Sequence, residues 1–195
     1  MDRELIQALT ARRGHFRLES GHHGDLWLDP DAFLLRPATV RPFAVELAHR
    51  LAAHGIDAVC GPLSGGAFVA QTIAAELGIA FLHAERIATG RAGLFPIDYR
   101  LPEPLRRHAA GARVAVVDDA VNAGSALRAT VVDLESCGAE IVALGALLTL
   151  GGAASSCVAA RSLPLERIGN LESGLWMPDA CPLCEAGVGL DVAVG

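Results

Sequence analysis

The amino-acid sequence predicts an α/β fold in which a parallel sheet is flanked by helices. Two observations support this class. Short apolar runs that are typical of buried strands alternate with longer segments of helical periodicity. Each run is bounded by glycine or charged residues, and is too short or too rich in β-branched residues for a helix. Because strand and helix alternate, we expect parallel strands that are covered on both faces.

The individual elements follow from these patterns in chain order. Strands are predicted over residues 58–60, 79–82, 114–117 and 141–148. Between them, apolar residues recur every three or four positions, which predicts helices over residues 40–51, 69–77 and 127–134. Gly78 and Gly138 follow two of these helices, where glycine commonly ends a helix.

The remaining segments show weaker patterns. Residues 14–29 are predicted to be extended around a turn at Ser20 and Gly21. Residues 86–112 contain several glycines and prolines, which favour loop or hairpin. His22 and His23 are expected to be exposed in a loop, and the pattern fades after about residue 150. The 195 residues fit a single domain.

Composition narrows the classes of function. No apolar run reaches the roughly 18 to 20 residues of a membrane span. The net charge of −6 argues against a general nucleic-acid or membrane-surface binder. All 16 basic residues are arginine, so any role that needs a lysine must be filled by arginine or lost. The start of the chain is charged and amphipathic, unlike a signal peptide. A cytoplasmic enzyme or binding protein is therefore expected.

Five cysteines, an odd number, argue against a disulfide framework. Cys181 and Cys184 have the spacing of a metal knuckle or a redox pair. A structural zinc takes four ligands, and neither a second such pair nor a nearby histidine stands in this part of the sequence. The sequence therefore does not favour a metal site at this pair.

The stretch VAVVDDAVNAGSALRATVVDL, residues 114–134, carries the strongest functional signal. Asp118 and Asp119 follow a buried strand, and the small residues 122–126 stand where a helix begins. Small residues let the backbone approach a ligand, and free amides at a helix start favour an anion. Phosphate in the loop and sugar hydroxyls on the carboxylates would fit a phosphorylated ribose. The alternative is an ordinary strand-to-helix turn capped by aspartate.

A second loop, GPLSGG at residues 61–66, follows another predicted strand. Ligands of open parallel sheets bind at the carboxyl ends of the strands, so the two loops are expected to share one site.

Several segments in order resemble one family. Residues 114–126 resemble the phosphoribosyl pyrophosphate (PRPP) signature of the type I phosphoribosyltransferases. FRLESG at residues 16–21 is similar to a segment near the start of orotate phosphoribosyltransferases. Residues 61–66 are similar to the loop that contacts pyrophosphate in the same enzymes. AER at residues 84–86 resembles the segment that leads into their catalytic loop. CPLCEAGV at residues 181–188 resembles the C-terminal tail of one bacterial branch of these enzymes.

The resemblance implies a PRPP-dependent phosphoribosyltransferase, most like orotate phosphoribosyltransferase, which would convert orotate and PRPP to orotidine 5′-phosphate and pyrophosphate in pyrimidine synthesis. It implies one domain over residues 1–195, with a core at about 36–150 and a hood from about 1–35 and the C-terminal segment. It also implies a homodimer with shared active sites. Mg²⁺ is expected to bind through PRPP, with no direct protein ligand.

Carried over by position, the resemblance implies the following site. Asp118 and Asp119 would hold the ribose hydroxyls, and Arg86 would contact pyrophosphate, as the catalytic residues. PRPP would also be bound by Ser64, Gly65, Val121, Asn122, Ala123, Gly124, Ser125 and Ala126. The base would be bound by Ser20, Gly21 and Thr149.

Two departures leave the base open. The family's catalytic loop carries lysine, and this chain has none. The strand near residue 149 normally ends in Asp-Arg, whose arginine helps to bind orotate, and Thr149-Leu150 stands there. Orotate is therefore expected to be a poorer acceptor than in ordinary members of the family, or to need a replacement contact, which Arg17 or Arg161 could supply by a different route. Two alternatives to an orotate enzyme remain: an enzyme for another base, and a non-catalytic PRPP or nucleotide sensor.

Overall fold

The structure, a computed structural model, describes residues 2–151 and 162–191. The described residues form a six-stranded sheet and a separate three-stranded sheet. The six-stranded sheet contains β3 (Ala58–Pro62), β4 (Ala80–Ala88), β5 (Ile97–Arg100), β6 (Arg113–Val121), β7 (Glu140–Leu150) and β8 (Leu165–Leu171). The three-stranded sheet contains β1 (Thr10–Arg17), β2 (His23–Asp29) and β9 (Leu175–Trp176).

The large sheet has the order β5-β4-β3-β6-β7-β8, and only the β4–β5 pair is antiparallel. Its helices are α3 (Pro37–Ala52), α4 (Gly65–Leu77), α5 (Glu103–Ala109) and α6 (Ser125–Ser136). Short helices lie nearer the ends of the chain: α1 (Asp2–Ala8), α2 (Pro30–Leu34), a 3₁₀ turn (Pro178–Ala180) and α7 (Pro182–Glu185). Among the described residues, no helix is both long enough and apolar enough to cross a membrane.

Helices cover both faces of the large sheet, as the sequence predicts. One core cluster packs α3 and α4 against the sheet through residues such as Leu47, Val69 and Val117. The other packs α6 against the opposite face through residues such as Leu127, Val116 and Leu144. The apolar strands are buried on both sides, which accounts for their continuous rather than alternating hydrophobicity.

The predicted elements are present, with longer bounds and three differences. β6 runs through both aspartates to Val121, because these residues still pair with β7, Asp118 opposite Ala146 and Val121 opposite Thr149. The stretch expected to be loop or hairpin holds β5 and also helix α5. A further parallel strand, β8, follows residue 150.

The three-stranded sheet joins the two ends of the chain. β1 and β2 form an antiparallel hairpin whose turn carries Ser20 and Gly21, and β9 pairs with the start of β2. The prediction of an exposed His23 is wrong. Its side chain is buried because this strand is covered by the segment after β9, where Cys184 Sγ lies 3.3 Å from His23 Nδ1.

The packing of α3 on the sheet gives a stability prediction. Leu47 is completely buried between the helix and the sheet, so Leu47→Ala should lower the free energy of unfolding by about 2–5 kcal/mol. Leu35→Ala is the matched control, since that side chain is 80% exposed, and should change little. Denaturant unfolding measures both. Equal losses in the two variants would contradict this packing.

Candidate active site

The candidate site lies at the carboxyl ends of β3 and β6, two neighbouring parallel strands. From β3 the chain continues to β4 on one side, whereas β6 and β7 lie on the other. The order of strands therefore switches between β3 and β6. Such a point leaves a crevice between the loops that leave the two strands, and ligands of open α/β sheets bind there.

A cavity of about 460 Å³ occupies this crevice. The structure brings most of the predicted site residues to its wall. They include Ser20, Ser64, Gly65, Arg86, Asp118, Asp119, Val121, Asn122, Ala123, Gly124, Ser125 and Ala126. These residues come from the β1–β2 hairpin, β4, the end of β6, the loops after β3 and β6, and the first residues of α4 and α6.

Asp118 and Asp119 form an acidic pair on the last part of β6. Asp118 is buried and its Oδ1 accepts a hydrogen bond from the Asp119 amide at 3.1 Å. Burial, and next the neighbouring Asp119 carboxylate, raise the pKa of Asp118 well above its ordinary value. A group that donates hydrogen bonds or carries positive charge would relieve this unfavourable environment.

The start of α4 lies in close contact with this pair. A Cβ atom on Gly65 would overlap the Asp119 carboxylate, and one on Gly66 would lie 2.7 Å from Asp118 Oδ1. Glycine is therefore required at these positions by space. The first amides of α4 have no partner inside the helix, so the contact also places a partial positive charge beside the acidic pair.

The loop after β6 ends at the start of α6, and its geometry suits an anion. Gly124 adopts φ 71°, a left-handed conformation that favours glycine, and places Ser125 as the first residue of the helix. Asn122 Oδ1 is buried and has no hydrogen-bond partner within the described residues. Buried polar atoms are rarely unpaired, so this atom points to a ligand or water in the native site.

Arg86 is the only basic side chain on the described cavity wall. Its Nε lies 3.2 Å from Glu19 Oε2, and both side chains remain partly exposed. Tyr99 donates a hydrogen bond to Glu19 Oε1 at 3.1 Å. Burial, and next the Glu19 carboxylate, raise the pKa of Tyr99, which keeps its hydroxyl protonated. Glu19 thus joins the hairpin to β4 and β5 at the rim of the cavity.

The wall nearest the hairpin is largely apolar. It is formed by Leu18, Leu26, Trp27, Leu28 and Leu150. Leu150 stands at the end of β7, the position at which the resemblance places an arginine. Arg17, considered as a replacement, is exposed and does not line the cavity, and Arg161 is outside the described residues.

Two residues predicted to contact the base do not line the cavity. Thr149 is buried, and its hydroxyl donates a hydrogen bond to Asn170 Oδ1 at 2.8 Å. Successive residues of β7 face opposite sides of the sheet, so the Thr149 side chain lies on the face away from that of Leu150, beside its cross-strand partner Asn170. Gly21 has φ 85°, and a Cβ there would lie 2.7 Å from the Gly93 carbonyl oxygen. That contact fits a role in packing the hairpin turn against the loop before β5.

The sequence analysis assigns no site role to Glu19, Trp27 or Tyr99. Glu19 lies inside the quoted FRLESG segment, which is the one sequence signal that could have indicated it. Tyr99 and Trp27 had no such signal, because their position on the wall depends on the pairing of β4 with β5 and on the hairpin.

Oxygen donors on the cavity wall suit a hard divalent cation. The carboxylates of Asp118 and Asp119 add favourable negative charge there, while the phosphates of a ligand and water would coordinate the Mg²⁺ ion itself. The residues present therefore fit a Mg²⁺ ion that arrives with a phosphorylated ligand.

Comparison with known proteins agrees with this geometry. A family model for the phosphoribosyl transferase domain matches residues 38–158. The chain is similar to the orotate phosphoribosyltransferase of Campylobacter curvus, at 32% identity over 96% of this chain and 95% of the relative. It is 30% identical to the orotate phosphoribosyltransferase of Caldanaerobacter subterraneus, over 96% of this chain and 92% of the relative.

Solved structures show the same architecture. The orotate phosphoribosyltransferase of Mycobacterium tuberculosis has a TM-score of 0.62 and 25% sequence identity, over 86% of this chain and 93% of that one. The chain therefore belongs to the phosphoribosyltransferase family, and orotate phosphoribosyltransferases are among its relatives at 30% identity or more over nearly the whole chain.

Proposed function

We propose that this protein is a PRPP-dependent orotate phosphoribosyltransferase, which makes orotidine 5′-phosphate and pyrophosphate from orotate and PRPP in pyrimidine synthesis. One observation carries the proposal: a pair of carboxylates, of which Asp118 is buried, lies between the starts of two helices in a single cavity. The similarity to orotate phosphoribosyltransferases over nearly the whole chain supports the choice of base.

The acidic pair would bind the ribose. Carboxylate oxygens only accept hydrogen bonds, so Asp118 and Asp119 suit the two ribose hydroxyls. As the bond to pyrophosphate breaks, positive charge develops on the ribose ring. Fixed carboxylates beside that ring would stabilise the charge without reorganising, which is electrostatic preorganisation.

The start of α6 would bind the 5′-phosphate. Residues from Asn122 to Ala126 surround this end of the cavity, and the free amides and dipole of the helix favour an anion. Asn122 can rotate its amide group so that nitrogen, rather than the unpartnered oxygen, faces a phosphate oxygen. A ribose held at both ends has its reactive carbon fixed between them.

Pyrophosphate would leave towards the start of α4. Ser64 and the amide of Gly65 lie there, and Arg86 can turn from Glu19 to the phosphates because both side chains are half exposed. Arginine can form two parallel hydrogen bonds to phosphate oxygens, so it can neutralise the leaving group in the absence of lysine. Bound Mg²⁺ would neutralise charge on the leaving pyrophosphate.

A second candidate is transfer to a different nitrogen base. The observation that favours it is the apolar wall at Leu150 and Trp27, where no described basic side chain would meet the orotate carboxylate. A carboxylate that enters such a wall loses water without gaining a charged partner. The contact between this wall and the orotate carboxylate therefore distinguishes orotate from bases that lack a carboxylate.

We further propose a cytoplasmic homodimer. The family resemblance implies such a dimer, and Phe68, in the first turn of α4, is 52% exposed and would be available to a partner subunit. Free thiols at the described cysteines support a reducing compartment. Sedimentation velocity measures the oligomeric state directly.

Asp118 should be needed for turnover, although its buried carboxylate should lower the stability of the fold near neutral pH. Asp118→Asn keeps the hydrogen-bond acceptor but removes the charge, so turnover should fall at least about 100-fold. The raised pKa means that the carboxyl stabilises the fold below its unfolded-state pKa, and that this contribution is lost as the pH rises through the folded-state pKa. Near neutral pH, Asp118→Asn should therefore melt no lower than the wild type.

The control for this variant is Asp179→Asn, at an exposed position away from the cavity, which should change neither property. Pyrophosphate release and thermal melting are measured for all three proteins. Wild-type turnover by Asp118→Asn would remove this residue from the proposed mechanism.

The contact at Gly65 gives a second test. Gly65→Ala places a methyl group against the Asp119 carboxylate, so calorimetric affinity for PRPP with Mg²⁺ should drop at least about tenfold, the effect of losing one charge-assisted hydrogen bond. Gly189→Ala is the control, because its added Cβ meets open space. Unchanged PRPP affinity in a folded Gly65→Ala protein would contradict the proposed position of the ribose.

The acceptor is tested by pyrophosphate release from PRPP with orotate and a panel of other bases. Leu150→Arg should raise kcat/KM for orotate by about tenfold or more, because it adds a charged partner for the carboxylate. Leu35→Arg makes the same change at an exposed position and should have no effect. Efficient orotate use without a gain in Leu150→Arg would show that this position does not set base choice.

If PRPP binds but no base in the same panel gives pyrophosphate release, the protein would be a PRPP sensor and not an enzyme.

A further inference from the structure

Four potential metal ligands meet at a place separate from the cavity. They are His15, His23, Cys181 and Cys184, and one ligand atom of each lies within 4.8 Å of all the others. The histidines come from β1 and β2, and the cysteines flank the start of α7. The sequence did not favour a metal at this Cys pair because no histidine is near it in the chain. The fold supplies two from more than 150 residues away.

The distances between the ligand atoms fit one tetrahedral ion. His15 Nε2 lies 3.0 Å from His23 Nδ1, 3.4 Å from Cys181 Sγ and 3.7 Å from Cys184 Sγ. Cys184 Sγ lies 3.3 Å from His23 Nδ1. Around a tetrahedral zinc, the usual Zn–N and Zn–S bond lengths place two nitrogens about 3.3 Å apart and a nitrogen and a sulfur about 3.6 Å apart.

The surroundings hold His15 in the orientation that a ligand needs. His15 Nδ1 is 2.8 Å from the Val188 carbonyl oxygen, which can only accept a hydrogen bond, so Nδ1 carries the proton. The lone pair of Nε2 then points into the cluster. This is the usual outer contact of a metal-binding histidine. The Asp191 carboxylate accepts a further hydrogen bond from the His15 amide at 3.0 Å.

We propose that His15, His23, Cys181 and Cys184 bind a structural Zn²⁺ ion. Two thiolates and two imidazoles in a tetrahedral arrangement are a ligand set typical of zinc. His15, His23 and Cys181 are buried and Cys184 is exposed. Four protein ligands would fill a tetrahedral site and leave no position for a substrate. The competing interpretation is a hydrogen-bonded histidine pair beside a redox-active cysteine pair.

The ion would join the two ends of the chain. It would clamp α7 and the following residues onto the β1–β2 hairpin, and that hairpin carries Ser20 and Trp27 to the cavity wall. The zinc itself would take no part in the transfer. Its content can therefore be measured whether or not the proposed function is correct.

The test is metal analysis of the full-length protein, purified without an affinity tag that binds metal. Elemental mass spectrometry should find about one zinc per chain. Cys181→Ser and Cys184→Ser should each lose most of the zinc. Cys137→Ser is the matched control, since that thiol contacts Asp133 on α6, and it should keep the metal.

A second measurement does not depend on how well the variants fold. Wild-type protein stripped with a chelator and reloaded with Co²⁺ should show the visible absorption of tetrahedral cobalt with thiolate ligands. That absorption should disappear when Zn²⁺ is added. A folded wild-type protein that takes up neither ion, or that forms a Cys181–Cys184 disulfide in the presence of Zn²⁺, would overturn the proposal.

Discussion

The candidate site depends on one close contact, between the start of α4 and the carboxylates of Asp118 and Asp119. No side chain fits between them, because a Cβ on Gly65 or Gly66 would meet a carboxylate oxygen. The contact exists because β3 and β6 are neighbours in the sheet, and each strand delivers its loop to the same edge. A parallel sheet that is buried on both faces keeps these loops fixed relative to each other.

The site places the negative charge of the acidic pair between the partial positive charges of two helix starts. Two helix starts attract anions, while the acidic pair between them repels anions and is itself poorly solvated. A ligand with phosphates at its ends and hydroxyls in its middle matches that alternation, and PRPP has this form. The unfavourable burial of Asp118 is then a feature of the unliganded protein, offset when the ligand binds. The buried carboxylate lowers the stability of the fold and is retained because it serves ligand binding.

Features that depend on local sequence patterns could be predicted from the sequence, whereas features that depend on contacts between distant segments of the chain could not. The strands around Val116 and Leu144, the helices between them and the loop at Gly124 follow from local periodicity and turn chemistry. β8 and α5 were missed because their patterns are short and their stability comes from partners, such as the pairing of β8 with β7. Thr149 was assigned to the base because sequence position does not tell which of two adjacent strand residues faces the cavity. The meeting of His15 with Cys184 was missed because no local pattern links the ends of a chain.

The central claim is that Asp118 is an unfavourably buried carboxyl that PRPP stabilises as a carboxylate. Carbon-13 NMR of the aspartate carboxyl groups, with the Asp118 signal assigned by its absence in Asp118→Asn, measures that pKa directly. The account predicts a pKa well above the ordinary value in the free protein, and a lower pKa once PRPP and Mg²⁺ are bound, because ribose hydroxyls and the nearby cation favour the charged form. An ordinary pKa for Asp118 that PRPP leaves unchanged would contradict it.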